Sequence, residues 1–109
     1  MRVVLPLLAL AACVLGCDRD AKTQRALVGV WKQEPHHTLS LAADGRYLSE
    51  FPSPVSLVYS GKWHVDHGFL VLTESSSNGV PVADERLRVL EYRGPLVLAY
   101  GTNLMSLQR

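Results

Sequence analysis

The 109 residues of this chain predict an all-β domain of about eight short antiparallel strands behind an amino-terminal signal peptide. Three observations carry that prediction. The first is Leu57–Asp66, where Leu57, Tyr59, Gly61, Trp63 and Val65 alternate with Val58, Ser60, Lys62, His64 and Asp66. Period two with one apolar face is a strand half buried in a core. The second is punctuation: Asp44-Gly45, His67-Gly68, Gly94-Pro95 and Gly101-Thr102-Asn103 recur at short intervals. Such spacing suits a sandwich or a barrel whose neighbours pair in order. The third is that no stretch of about ten residues beyond the leader has the amphipathic spacing of a helix.

The leader comes first in the chain. Arg2 is followed by an uncharged stretch from Val3 to Gly16, then by Cys17 and Asp18-Arg19-Asp20. A basic start, an apolar middle and small residues before a cut describe residues 1–16 as a secretory leader. The stretch is shorter than the ~20 apolar residues that a membrane-spanning helix needs. Leu10-Ala11-Ala12-Cys13 and Val14-Leu15-Gly16-Cys17 both resemble the lipobox of bacterial lipoproteins. The first fits the pattern better, because Leu15 is bulky for its slot. The second has the better context, because apolar character stops at Cys17.

Cutting at Cys17 discards Cys13 and leaves no free thiol, whereas cutting before Cys13 leaves an odd thiol in an oxidising compartment. Cys17 is therefore the expected lipid site, with Cys13 as the alternative. The resemblance implies an acylated (palmitate-type) cysteine that anchors the protein to a membrane of the bacterial cell envelope, facing the periplasm. Each buried methylene adds ~0.8 kcal/mol, and several chains hold where one does not. Asp18 resembles the inner-membrane retention signal of enterobacterial lipoproteins; inner and outer membrane both stay open.

Residues 17–26 then read as the lipidated cysteine and a polar tether, too short to hold a helix unaided. Residues 27–109 form the domain. Its strands are expected at Leu27–Gln33, Thr38–Ala42, Arg46–Phe51, Leu57–Asp66, Phe69–Thr73, Glu85–Tyr92, Leu96–Tyr100 and Leu104–Gln108. Leu39 and Leu41 alternate with Thr38 and Ser40, and Tyr47 shares a face with Phe51. Asp44-Gly45 is a strong hairpin signal, since glycine accepts positive φ without cost. Between the fifth and sixth strands, Glu74–Asp84 reads as a loop, either a disordered connection or a cover for one end of the domain. Pro52-Ser53-Pro54 stops the third strand, because proline fixes φ and donates no hydrogen bond.

Leu27-Val28-Gly29-Val30-Trp31-Lys32 contains a Gly-x-Trp that resembles the lipocalin signature. The Ala43–Tyr47 hairpin, the Ser60–Trp63 strand and the closing Leu-rich hairpins are similar to those of small bacterial lipocalin-like lipoproteins. The resemblance covers Leu27–Arg109. It implies an up-and-down antiparallel β-barrel with Gly29 and Trp31 at its closed end. Two departures stand out: a carboxy-terminal helix is missing, and only Arg109 is placed to supply the basic residue that covers the tryptophan in lipocalins. Tyr47, Phe51, Tyr59, Trp63 and Tyr100 join Trp31 as candidates for the interior. An eight-stranded barrel is just wide enough to be filled by side chains or to hold one small ligand. These six aromatics point to a filled lumen, with a shallow apolar cup at the open end as the alternative.

Composition narrows the function classes. Removing residues 1–16 takes Arg2 from 11 basic residues and none of the 10 acidic ones, leaving ten against ten. That balance gives no electrostatic case for nucleic acid. His36-His37, His64 and His67 are expected on the surface, so no metal site and no cofactor follow from them. No Gly-x-Ser-x-Gly elbow exists, and Ser75-Ser76-Ser77 has no identifiable partner, so no catalytic residues and no enzyme are expected. The reading is a lipid-anchored envelope protein that binds a small apolar ligand or a protein partner through its rim loops. Its alternative is an assembly lipoprotein with a filled barrel and no ligand.

Overall fold

The computed structural model describes residues 19–33, 37–52 and 56–109. The leader, Cys13, Cys17, Asp18, His36 and Ser53-Pro54 lie outside the described residues. Nine strands form one antiparallel sheet: β1 (Gly29–Gln33), β2 (His37–Leu41), β3 (Arg46–Phe51), β4 (Leu57–Asp66), β5 (Phe69–Ser77), β6 (Val80–Pro81), β7 (Glu85–Glu91), β8 (Leu96–Tyr100) and β9 (Asn103–Leu107). The order is β1-β2-β3-β4-β5-β7-β8-β9, with β6 paired to β5 off this path. Lys32 and Gln108 exchange backbone hydrogen bonds of 2.6 and 2.7 Å, which brings the two ends of the sheet together. The fold is thus a nearly closed up-and-down β-barrel, as the strand pattern predicted. Among the described residues no helix is long and apolar enough to cross a membrane.

Three expected strands, Arg46–Phe51, Leu57–Asp66 and Leu96–Tyr100, have the bounds of β3, β4 and β8. The expected loop Glu74–Asp84 is different. β5 continues to Ser77, turns through Asn78 (φ 54) and Gly79 (φ 79), and returns as β6. Two successive positive-φ residues make a turn whose twist matches that of the flanking strands. Pro81 is tolerated because β6 pairs with β5 alone. Only Val82–Asp84 remains irregular.

The second difference is at the amino end. Residues 19–27 form a helix, α1, which takes up the part read as tether and also Leu27, expected to open the first strand. So short a helix is marginal in water, and tertiary contacts sustain it. Leu27 is fully buried and Thr23 nearly so. The Asp20 carboxylate accepts hydrogen bonds from the His67 and Gly68 N–H groups (2.9 and 3.3 Å), at the β4–β5 turn. Gln24 Oε1 accepts another from the Val65 N–H at 3.0 Å. Polar residues that suggested solvent exposure are spent on backbone donors at one end of the barrel.

That end is closed by a core of Leu27, Trp31, Leu41, Trp63, Leu70, Leu96 and Leu107. Trp31, 0% exposed, donates its indole N–H to the Leu27 carbonyl at 2.9 Å and so ties α1 to β1. Arg109 lies over the same ring, 4.2 Å from its centroid. The guanidinium donates to the Ala26 and Val28 carbonyls at 2.6 and 3.2 Å. These carbonyls end α1 and lead into β1, where unpaired acceptors are otherwise common. Gly29 explains how the arginine gets there. Its φ is +142°, and a Cβ on it would sit 2.6 Å from Arg109 Nη1. Gly29, Trp31 and Arg109 are one device.

A bulge divides the inner face of β5. Ser60 pairs with Ser76 but Lys62 pairs with Thr73, so β5 carries an extra residue opposite Gly61. Glu74 takes it up at φ 49. Leu70 and Leu72 point inward before the bulge; Ser75 is buried after it, and Glu74 stays outside, 3.3 Å from Lys62. One inserted residue therefore keeps a carboxylate out of the lumen and turns a hydroxyl into it.

Candidate functional site

The end of the barrel opposite α1 holds a cavity of about 660 Å³. Small-molecule sites commonly enclose ~300–1,000 Å³. The lumen is packed at its closed end and open at the other, which is the apolar cup expected as the alternative to a filled interior. Trp31 and Trp63 do pack the closed end, but Tyr47, Phe51 and Tyr59 line the wall of the cup. Tyr100, expected inside, is 56% exposed and stands at the rim. It is the last residue of β8, where the wall ends and solvent begins.

The floor and lower wall are apolar, formed by Leu39, Leu72, Leu87 and Leu98. Two buried polar pairs interrupt them. Tyr47 donates its hydroxyl to Ser75 Oγ at 2.6 Å, a contact that the β5 bulge makes possible. Burial pushes the Tyr47 phenol above its usual value; the Ser75 bond opposes this, and the charges of Glu85 and Asp84 push it up further.

The second pair is His37 Nε2 with Ser49 Oγ, 2.7 Å apart. His37 is the first residue of β2 and shares the inner phase of Leu39 and Leu41, so it is 7% exposed rather than on the surface. Its ring stacks on Phe51 (centroids 4.1 Å, planes 6° apart), and Phe51 meets Tyr59 edge-on at 6.2 Å. Nδ1 is buried and has no hydrogen-bond partner among the described residues. A proton on Nε2, donated to Ser49, leaves Nδ1 a bare lone pair, which costs less than an unpaired N–H.

A serine and a histidine at this distance have the separation of a nucleophile and its base. Here no carboxylate faces Nδ1 among the described residues, so no counter-charge there would stabilise an imidazolium. The pair satisfies polar atoms in the wall. Burial lowers the His37 pKa from 6.5, so the unfolded chain binds a proton first as pH falls. The folded state should lose stability below pH 6.5. Urea midpoints at pH ~7 and ~5 should show a larger acid loss for the native chain than for His37→Gln. Equal losses would remove His37 as the cause.

The mouth is completed by Leu57, Met105, Asn103 and the irregular segment Val82–Asp84. Glu85 begins β7 directly opposite Leu72. Cross-strand partners share a face, so Glu85 belongs to the inner face with Leu87. The alternation Glu85, Leu87, Val89 carried that signal in the sequence. His37 had one too, through its phase with Leu39. Neither was read as a site residue.

At the closed end, Asp20, Asp66 and His67 bring ligand atoms within 4.8 Å of one another. Both Asp20 oxygens accept backbone N–H groups, and Asp66 accepts His67 Nδ1 at 2.7 Å and lies 3.6 Å from Arg86. The His67 hydrogen bond, chiefly, holds the Asp66 carboxyl below its usual value. The cluster is a docking point for α1. A shallower hollow of about 290 Å³ lies beside it, between Gln24, Ala43 and Trp63.

Comparison with known proteins adds no assignment: no family model, no curated protein and no solved structure matches this chain.

Proposed function

We propose that the protein is a lipid-anchored, lipocalin-like carrier or receptor of the bacterial cell envelope, binding a small, largely apolar molecule in its cup. The single observation that supports this most is the open cavity of about 660 Å³ behind Tyr100 and Met105. The arrangement of Gly29, Trp31 and Arg109 favours the lipocalin likeness, since the arginine lies over the tryptophan at 4.2 Å. The reading is one of binding, without catalysis or cofactor, with Cys17 carrying the acyl chains and Cys13 as the alternative site.

The test has two arms. An environment-sensitive apolar dye should brighten with the protein and be displaced by decanol, and Met105→Trp, which fills the mouth, should weaken the dye about tenfold. The intact mass of the envelope-extracted protein should carry acyl chains that Cys17→Ala removes. No dye binding would discard the cup reading. Lipid retained in Cys17→Ala would discard Cys17 as the anchor.

A further inference from the structure

The chemistry of the cup's lining says more than that it is apolar. Its charged residues are Asp84 and Glu85, both at the mouth; no lysine or arginine is among the described residues that line it. His37 sits in the wall as a buried, uncharged ring. The aromatic faces available are those of Tyr47, Phe51, Tyr59 and Tyr100.

A carboxylate head entering this mouth meets two like charges and, among the described residues that line it, no lysine or arginine. Like charges in a low-dielectric recess repel more strongly than in water, and a cleft lined by one sign of charge focuses the field. Both carboxylates add to the burial that holds the Tyr47 phenol above its usual value. An ammonium head meets the opposite situation. It has two counter-charges at the lip, and π faces that attract cations lie on the path inward.

We propose that the cup selects apolar molecules with a cationic head, the chemical class of long-chain or aromatic amines, over fatty acids. The head group lies between Asp84 and Glu85, and the tail rests on Leu39, Leu72, Leu87 and Leu98. Glu85 is fixed for this role by its pairing with Leu72 on the inner face of β7, while Asp84 comes from the irregular segment beside it. The inference rests on the ligand-cup reading and names its ligand class.

Decylamine, decanol and decanoate have one tail and three heads, and each can be titrated against the same dye. Decylamine is expected to bind about tenfold more tightly than decanoate, with decanol between them, and the gap should narrow as salt is raised. In the double variant Asp84→Asn/Glu85→Gln the ratio of decylamine to decanol affinity should fall to near one. Asp44→Asn, which removes a carboxylate from the β2–β3 turn at the other end of the barrel, should leave that ratio as it was. Decanoate binding as tightly as decylamine would overturn the proposal, and so would a ratio that survives the double variant. If decanol displaces the dye but head charge makes no difference, this proposal fails and the cup stands. If none of the three displaces it, the cup reading fails as well.

Discussion

Trp31→Ala is expected to cost about 3–5 kcal/mol, enough to unfold a marginal domain. The indole is 0% exposed, holds the Leu27 carbonyl at 2.9 Å and carries the Arg109 guanidinium on its face. Its loss leaves a cavity at the closed end, an unpaired carbonyl at the end of α1 and an arginine without its platform. Trp31→Phe separates these effects. It keeps most of the packing and the π face, and gives up the N–H bond, so it should cost only about 1 kcal/mol. Urea denaturation of the three proteins gives the comparison. A native-like midpoint for Trp31→Ala would mean that the closed end is held by the surrounding leucines alone. Far-ultraviolet circular dichroism should also show α1 weakened in Trp31→Ala, because the helix depends on docking.

Gly61→Ala should be nearly as damaging, for a backbone reason. A Cβ on Gly61 would lie 2.5 Å from the Thr73 carbonyl oxygen and 2.9 Å from that of Glu74. These are main-chain atoms in a paired strand and cannot swing aside. Strain of this kind costs about 1–3 kcal/mol and sometimes more, and the backbone position puts Gly61 at the upper end. The melting temperature should fall by roughly 10–20 °C. Gly68→Ala is the control. It lies in a turn at φ +80 with open space around it, so only the conformational penalty applies, about 1 kcal/mol. Comparable melting points for the two variants would show that the close approach is not what demands glycine at Gly61. Because the bulge aims Ser75 at Tyr47, whatever Gly61→Ala protein folds should also bind dye less well.

Most strands were legible from a period-two face closed by a glycine or proline break. Leu57–Asp66 is the plainest case, and its inner residues Trp63 and Val65 are buried as the alternation implies. The hairpin at Asn78-Gly79 was equally legible by turn chemistry. Its three serines and Pro81 instead suggested a loop, although Ser76 and Ser77 pair with Pro81 and Val80. Helix α1 was not legible. Its sequence is polar, and its stability comes from Asp20 and Gln24 bonding backbone groups of β4 and its turn, some forty residues later. No local pattern encodes that.

The cup lies between these cases. Trp31 and Trp63 are packed in the closed end and Tyr47, Phe51 and Tyr59 line the cup, while Tyr100 is at the exposed rim. Six aromatics did not fix how full the lumen is, because volume depends on barrel girth and strand tilt. His37 was hidden by its neighbours: His36-His37 after Pro35 looks like a loop end. Only the phase shared with Leu39 and Leu41 turns it inward. Arg109 is a similar case, since its role requires the last strand to return beside β1.

The meeting of first and last strands has a mechanical consequence. Among the described residues one reciprocal pair of backbone bonds, between Lys32 and Gln108, joins them, backed by Arg109 on the Ala26 and Val28 carbonyls. Every other neighbouring pair along the main path shares a longer ladder. The circumference behaves as a clasped bracelet and not as a welded hoop. Parting at the clasp would give up two backbone hydrogen bonds and leave every ladder of the main path intact.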